Sequence, residues 1–212
     1  MQSAAEYLDR TESAVQRLFE GIDAYLSVLR KATGVTFITS VPHGPAQDAA
    51  FAAWQAANVE QLAAARTAER NFMAEAFALD TLCGAVLQVA GKALEMYGQN
   101  TIVPQDLSSF IKAKYAKFCV GRSVRTVPLG LVIYAARNQH THFDDKDLRE
   151  PSASIFNLLA TAHGYGGNEL VVESAFDMDN PRLLSLASNV TSLMGWRSYA
   201  NYAKDMRALL ET

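Results

Sequence analysis

Apolar residues return every third or fourth position along most of this chain, a period that suits helices and defeats sheets. Leu8, Val15, Ile22 and Leu29 recur every seven residues, with Leu18, Phe19, Tyr25 and Leu26 beside them. This stripe predicts an amphipathic helix over about residues 4–31, ended by Gly34. From Asp48 to about Tyr97 the chain has no proline and is rich in Ala, Leu, Glu and Gln. Phe72, Phe77, Leu82, Val86, Leu87, Ala90, Leu94 and Tyr97 return to one side. One very long helix is expected there, or two with a break between about 65 and 80.

Pro104 opens a further expected helix, striped by Leu107, Phe110, Ile111, Tyr115 and Phe118. VGRSVRT reads as a basic connection. The run PLGLVIYAARNQHTH is apolar on nearly all sides until Arg137, which predicts a central buried helix with a polar end. Another helix is expected after Pro151, ended near His163 and Gly164. Two more are expected from Asn180–Pro181 and from Gly195. GVTFITS (34–40) and NELVVES (168–174) are the candidates for short strands. With half of its 212 residues apolar, the chain can bury a substantial core. The expected fold is all-α: an antiparallel helical bundle with extra helices and at most two short strands, forming a single domain over 1–212.

Cys83 and Cys119 sit in apolar helical stretches and are expected as reduced core thiols, not a disulfide scaffold. The opening MQSAAEYLDRTE lacks the basic start and apolar run of a secretory signal. No apolar run is expected to reach bilayer length. A cytoplasmic protein without a membrane span follows. The net charge is only −3, so any binding of nucleic acid must use a local positive surface.

The chemistry concentrates in Arg137-Asn138-Gln139-His140-Thr141-His142-Phe143-Asp144-Asp145. An apolar helix needs no such cluster at its end, and its polar groups must find partners or water. Arg137 and His142, five residues apart, lie roughly 140° from each other around an ideal helix. They converge on one phosphate only if the helix loosens near His142 or if two copies of the chain face each other across a symmetry axis. Asn138 and His142 are four apart, so Asn138 is placed to orient the imidazole. Histidine gives and takes protons near neutral pH, and arginine offers a fork of donors to phosphate oxygens.

Arg137, Asn138 and His142 at the end of an apolar helix resemble the RNxxxH signature of HEPN ribonucleases. The likeness is sharp over about 127–145 and architectural elsewhere, with the motif helix at about 127–142. It implies a homodimer with a composite cleft and metal-independent endonuclease cleavage of RNA by its own 2′-hydroxyl, without a cofactor. It also implies a toxin or antiviral defence role, under an antitoxin or another regulatory partner.

Between Leu107 and His142 there is no Asp or Glu, while Lys112, Lys114, Lys117, Arg122, Arg125 and Arg137 are all present. That bias suits a polyanion and also a plain solvated basic face. Arg122 and Arg125 are the better phosphate candidates, with Lys117 and His140 as further substrate-binding candidates. Two other readings stand beside the nuclease. One is a metal-dependent hydrolase using His140, His142 and Asp144. The other is a non-catalytic helical module for dimerisation or interaction.

Overall fold

A computed structural model describes residues 3–30, 35–144, 148–161, 172–180, 183 and 185–211. The chain is all-α, with a single two-residue hairpin among the described residues. It divides into two compact units: residues 1–22 with 77–212, and residues 23–76.

Helix α1 (Ala4–Arg30) follows the predicted period. Tyr7, Val15, Phe19 and Ile22 are its buried side chains in the first unit. Helix α2 (Pro45–Ala57) begins with a proline at its first turn, where a missing N–H costs nothing. It stops at Asn58, whose side-chain amide donates to the Trp54 carbonyl at 2.8 Å. That bond competes with the helical ladder. Helix α3 then runs unbroken from Val59 to Tyr97. The expected break therefore exists, but at Asn58 and not between 65 and 80. Within the second unit, Phe37, Phe51 and Trp54 form an aromatic cluster with ring centroids 5.2–5.7 Å apart. Residues 35–40 form no strand there.

By length and composition alone, α3 is apolar enough to cross a membrane, contrary to the expectation that no stretch would be. Its C-terminal half places Leu79, Cys83, Val86, Leu87, Ala90 and Leu94 in the core of the first unit. Phe77, expected on the same stripe, is 55% exposed and meets Phe143 edge-on at 6.1 Å.

Residues 105–118 bury Leu107, Ile111 and Phe118 as predicted, but as two 3-10 segments, Gln105–Leu107 and Ala113–Phe118, and not as an α-helix. Local side chains take the carbonyls a helix would use. Asn100 donates to the Ala116 and Cys119 carbonyls, and the Ser108 hydroxyl donates to Gln105. The basic connection is a hairpin of β1 (Ser123–Val124) and β2 (Val127–Pro128), turning through Arg125 at φ 56°.

Helix α4 (Leu129–Thr141) is central, as its all-round apolar character required. Leu129, Leu131, Val132, Ile133, Ala135 and Ala136 are all buried. It packs against α5 (Ser152–Thr161), α6 (Ala187–Leu193), the hairpin and the second 3-10 segment. Helix α7 (Tyr199–Leu210) starts at Ser198, whose hydroxyl accepts from the Asn201 N–H, and it buries Tyr202, Met206 and Leu209. The expected helix from Asn180–Pro181 is regular only from Ala187, and Pro181 lies outside the described residues. So do His163, Gly164, Gly34 and most of NELVVES, of which Val172–Ser174 form no strand.

Candidate functional site

The polar end of α4 is shared among three sets of neighbours, and helical geometry decides which residue meets which. At about 100° per residue, Arg137, His140 and Thr141 fall on one side, Asn138 and His142 on another, and Gln139 between them at the back.

The first side meets α3, which presents Gly84, Gln88, Gly91 and Glu95 along one face. Two glycines make room for two polar side chains. A Cβ at Gly84 would lie 2.0 Å from His140 Nε2, and one at Gly91 would lie 2.7 Å from Arg137 Cδ. Arg137 Nε donates to Gln88 Oε1 at 2.8 Å, and a terminal nitrogen pairs with Glu95 Oε2 at 3.3 Å. The Arg137 side chain is 26% exposed. Gln88 also donates to the Thr141 hydroxyl, so one amide fixes two α4 residues. The positive charges of Lys92 and Arg137 and their hydrogen bonds hold the Glu95 carboxyl below its usual range, against the opposing effect of burial.

His140 is half-buried in the Gly84 niche, with Nδ1 3.0 Å from Ser185 Oγ. Burial lowers its pKa, and the nearby Asp80 charge opposes that only in part. Asp80 is raised by its own burial and accepts from the Ser188 N–H at 2.9 Å. Gln139 is buried at the back, where its Oε1 accepts from the Leu186 N–H at 2.9 Å. His140, expected as a substrate-binding candidate, therefore packs the helix junction and is not among the walls of the Asn138–His142 cavity.

The other side opens to solvent. α4 ends at Thr141, and His142 caps it at φ −121°, ψ 35°, with its N–H donating to the Asn138 carbonyl at 3.0 Å. Asn138 and His142 line one cavity of about 240 Å³ with Tyr115, Tyr134, Arg149 and Ser152 among its other walls. Asn138 Nδ2 donates to Ser152 Oγ at 3.3 Å. The Tyr134 and Tyr115 rings pack tilted on each other, with centroids 5.2 Å apart. Lys114 Nζ lies 4.9 Å from the Tyr115 ring centroid. Arg137 is not among the cavity's walls.

The basic candidates nearby have internal partners. Arg122 pairs with both oxygens of Asp205, at 3.1 and 2.8 Å, and donates to the Met194 carbonyl. Arg125 pairs with Glu173, donates to the Leu159 carbonyl and lies over the Phe176 ring at 4.8 Å. Lys117 donates to the Glu95 carbonyl at 2.9 Å. Arg122 and Arg125, expected as phosphate ligands, thus tie the hairpin to α7 and to the segment after α5. Among the described residues no three His, Cys, Asp or Glu side chains are gathered to hold a metal. His140 and His142 face different neighbours.

Sequence reasoning missed two sets of residues. Gly84 and Gly91, seven apart in an apolar helix, were a legible sign of a close approach. Arg149, beyond the motif and next to Glu150–Pro151, gave no local signal. No family model, no curated protein and no solved structure matches this chain.

Proposed function

We propose that this chain is a HEPN-type endoribonuclease that works as a symmetric dimer, with His142 as the proton carrier. The observation that carries the reading is the shared cavity of Asn138 and His142 at the solvent-open end of a buried helix. The acid-free stretch from Leu107 to His142 supports it, with Lys112 and Lys114 exposed and Lys114 Nζ 4.9 Å from the ring of Tyr115, a wall of that cavity.

RNA supplies the nucleophile. The 2′-oxygen attacks phosphorus as its proton passes to a base, the P–O5′ bond breaks, and an acid returns a proton to the leaving 5′-oxygen. A cyclic 2′,3′-phosphate and a 5′-hydroxyl remain. His142 serves one of the two proton transfers, and Asn138 anchors its backbone through the Asn138 carbonyl. Arg137 supplies the charge that meets the developing phosphorane. Because it faces α3 within its own chain, it reaches a phosphate only in a cleft completed by a second copy. The toxin or defence role and a cytoplasmic location belong to the same proposal.

The non-catalytic reading has its own observation: the contacts of Arg137 with Gln88 and Glu95, which need no substrate. Purified protein with mixed RNA in chelator separates the two readings, beside Arg137→Ala and His142→Ala. The nuclease predicts cleavage by the parent, cyclic phosphate ends, and loss of both in each variant. Folded variants that cut as well as the parent, or a dimeric parent that cuts no RNA, favour the module.

A further inference from the structure

The cation nearest to hand for a phosphate is not one of the residues the motif points to. Arg137 is absent from the cavity that holds Asn138 and His142, while Arg149 is one of its walls. Arg122, Arg125 and Arg137 each pair with a carboxylate. Arg149 is exposed and has no ion pair among the described residues. Its position is fixed from the backbone, because its carbonyl accepts from the Ser152 N–H at 3.0 Å and the Ala153 N–H at 3.4 Å. The adjacent acid is occupied. The two oxygens of Glu150 accept from the Ser154 hydroxyl at 2.8 Å and its N–H at 3.3 Å, at the first turn of α5.

The remaining polar walls of the cavity include donors for an oxyanion, beside the Glu150 carboxylate, whose two oxygens are held by Ser154. Asn138 and Ser152 bring an amide and a hydroxyl, and Tyr115 and Tyr134 bring phenols. At about 240 Å³ the space is below that of a drug-sized pocket, which fits one phosphate and its ribose and not a stacked oligonucleotide. A guanidinium entering such a space offers parallel donors to two phosphate oxygens, which no lysine reproduces.

We propose that Arg149 holds the phosphate of the RNA strand in the cavity lined by Asn138 and His142. This rests on the nuclease reading for the identity of the strand, and it makes Arg149 a substrate-binding residue contributed by the same chain as His142.

The test separates binding from cleavage. A 3′-nucleoside monophosphate is titrated at low salt into the purified protein, with the His142 imidazole signals followed by NMR. Arg149→Gln and Arg149→Lys are compared with the parent, and Arg17→Gln on α1 serves as a control for loss of the same charge elsewhere. Binding that moves the His142 signals and weakens at least tenfold in Arg149→Gln, with little change in Arg17→Gln, is expected. Arg149→Lys recovers only part of it. Equal binding by parent and Arg149→Gln overturns the proposal, as does a parent that binds no nucleotide. RNA cleavage unaffected by Arg149→Gln would also overturn it and leave the nuclease standing. Nucleotide binding through Arg149 without any RNA cleavage would keep the phosphate seat and remove the nuclease.

Discussion

Replacing Gly84 by alanine should destabilise the first unit through a single contact, the His140 ring. The new Cβ would fall 2.0 Å from Nε2, 2.1 Å from Cδ2 and 2.4 Å from Cε1. The ring cannot simply swing away, because Nδ1 is engaged with Ser185 at 3.0 Å. Overpacking of this kind costs about 1–3 kcal/mol, and losing the Ser185 bond costs about 1 kcal/mol more. Alanine returns about 1 kcal/mol through helix propensity. The net expectation is a loss of about 1–3 kcal/mol. In a His140→Ala background the clash is gone and only propensity remains, so the same substitution should stabilise by up to about 1 kcal/mol. The two residues should therefore couple by about 2–4 kcal/mol in a double-mutant cycle. Urea unfolding can be followed by Trp196 fluorescence in a Trp54→Phe background, which reports on the first unit alone. A neutral Gly84→Ala, or the same loss with and without the imidazole, would refute the packing of α4 on α3.

Asp205 accepts from Arg122 at 3.1 and 2.8 Å and from Trp196 Nε1 at 2.9 Å. Asp205→Ala strands the N–H of a buried tryptophan and should cost about 1–4 kcal/mol in urea unfolding, with Asp205→Asn losing less. Burial pushes the Cys83 thiol up to about 11, so at pH 8 its thiolate is on the order of a thousandth of the native population. Alkylation by iodoacetamide should then follow unfolding, and rapid native labelling at Cys83 would contradict its burial. The folded pKa lies above the unfolded value of about 8.5, so this group's contribution is complete below about 8.5 and declines as pH rises through about 11. Cys83→Ala should flatten that alkaline loss. Mixing Arg137→Ala with His142→Ala should restore at most about half of parental cleavage, because half of randomly exchanged dimers are mixed and each keeps one intact Arg137 and one intact His142 in the composite cleft. No recovery, once mixed dimers are shown by differential tagging, would mean that the pair does not act across the dimer.

Helices with one-sided stripes were legible because burial imposes a period. Val15, Phe19 and Ile22 on α1, and Val86, Leu87, Ala90 and Leu94 on α3, all proved buried. The same pattern misled at residues 105–118, where Leu107, Ile111 and Phe118 do face the core. An apolar period specifies which side is buried, and it does not exclude a 3-10 path when Asn100 and Ser108 capture the carbonyls. The hairpin escaped notice for a related reason. Its turn uses Arg125 at positive φ, where glycine or asparagine would have announced it. Such a residue is held by tertiary bonds, here to Leu159 and Glu173, which local sequence does not display.

At the site, the polar end of α4 was visible as a cluster, but a cluster in sequence is a fan in space. Two routes were open for Arg137 and His142 to meet: a loosened helix or a second copy. The helix does end at Thr141, yet the two side chains still part company. Arg137 goes to the glycine-lined face of α3, and His142 goes to the cavity beside Tyr134 and Arg149. The last turn is not unwound toward Arg137, since the His142 N–H is bonded to the Asn138 carbonyl. The first route is not the one this fold takes, so the proposed pairing rests on the second. Under the proposed dimer, a phosphate bound by Arg149 in one protomer would mark where the partner's charge has to arrive.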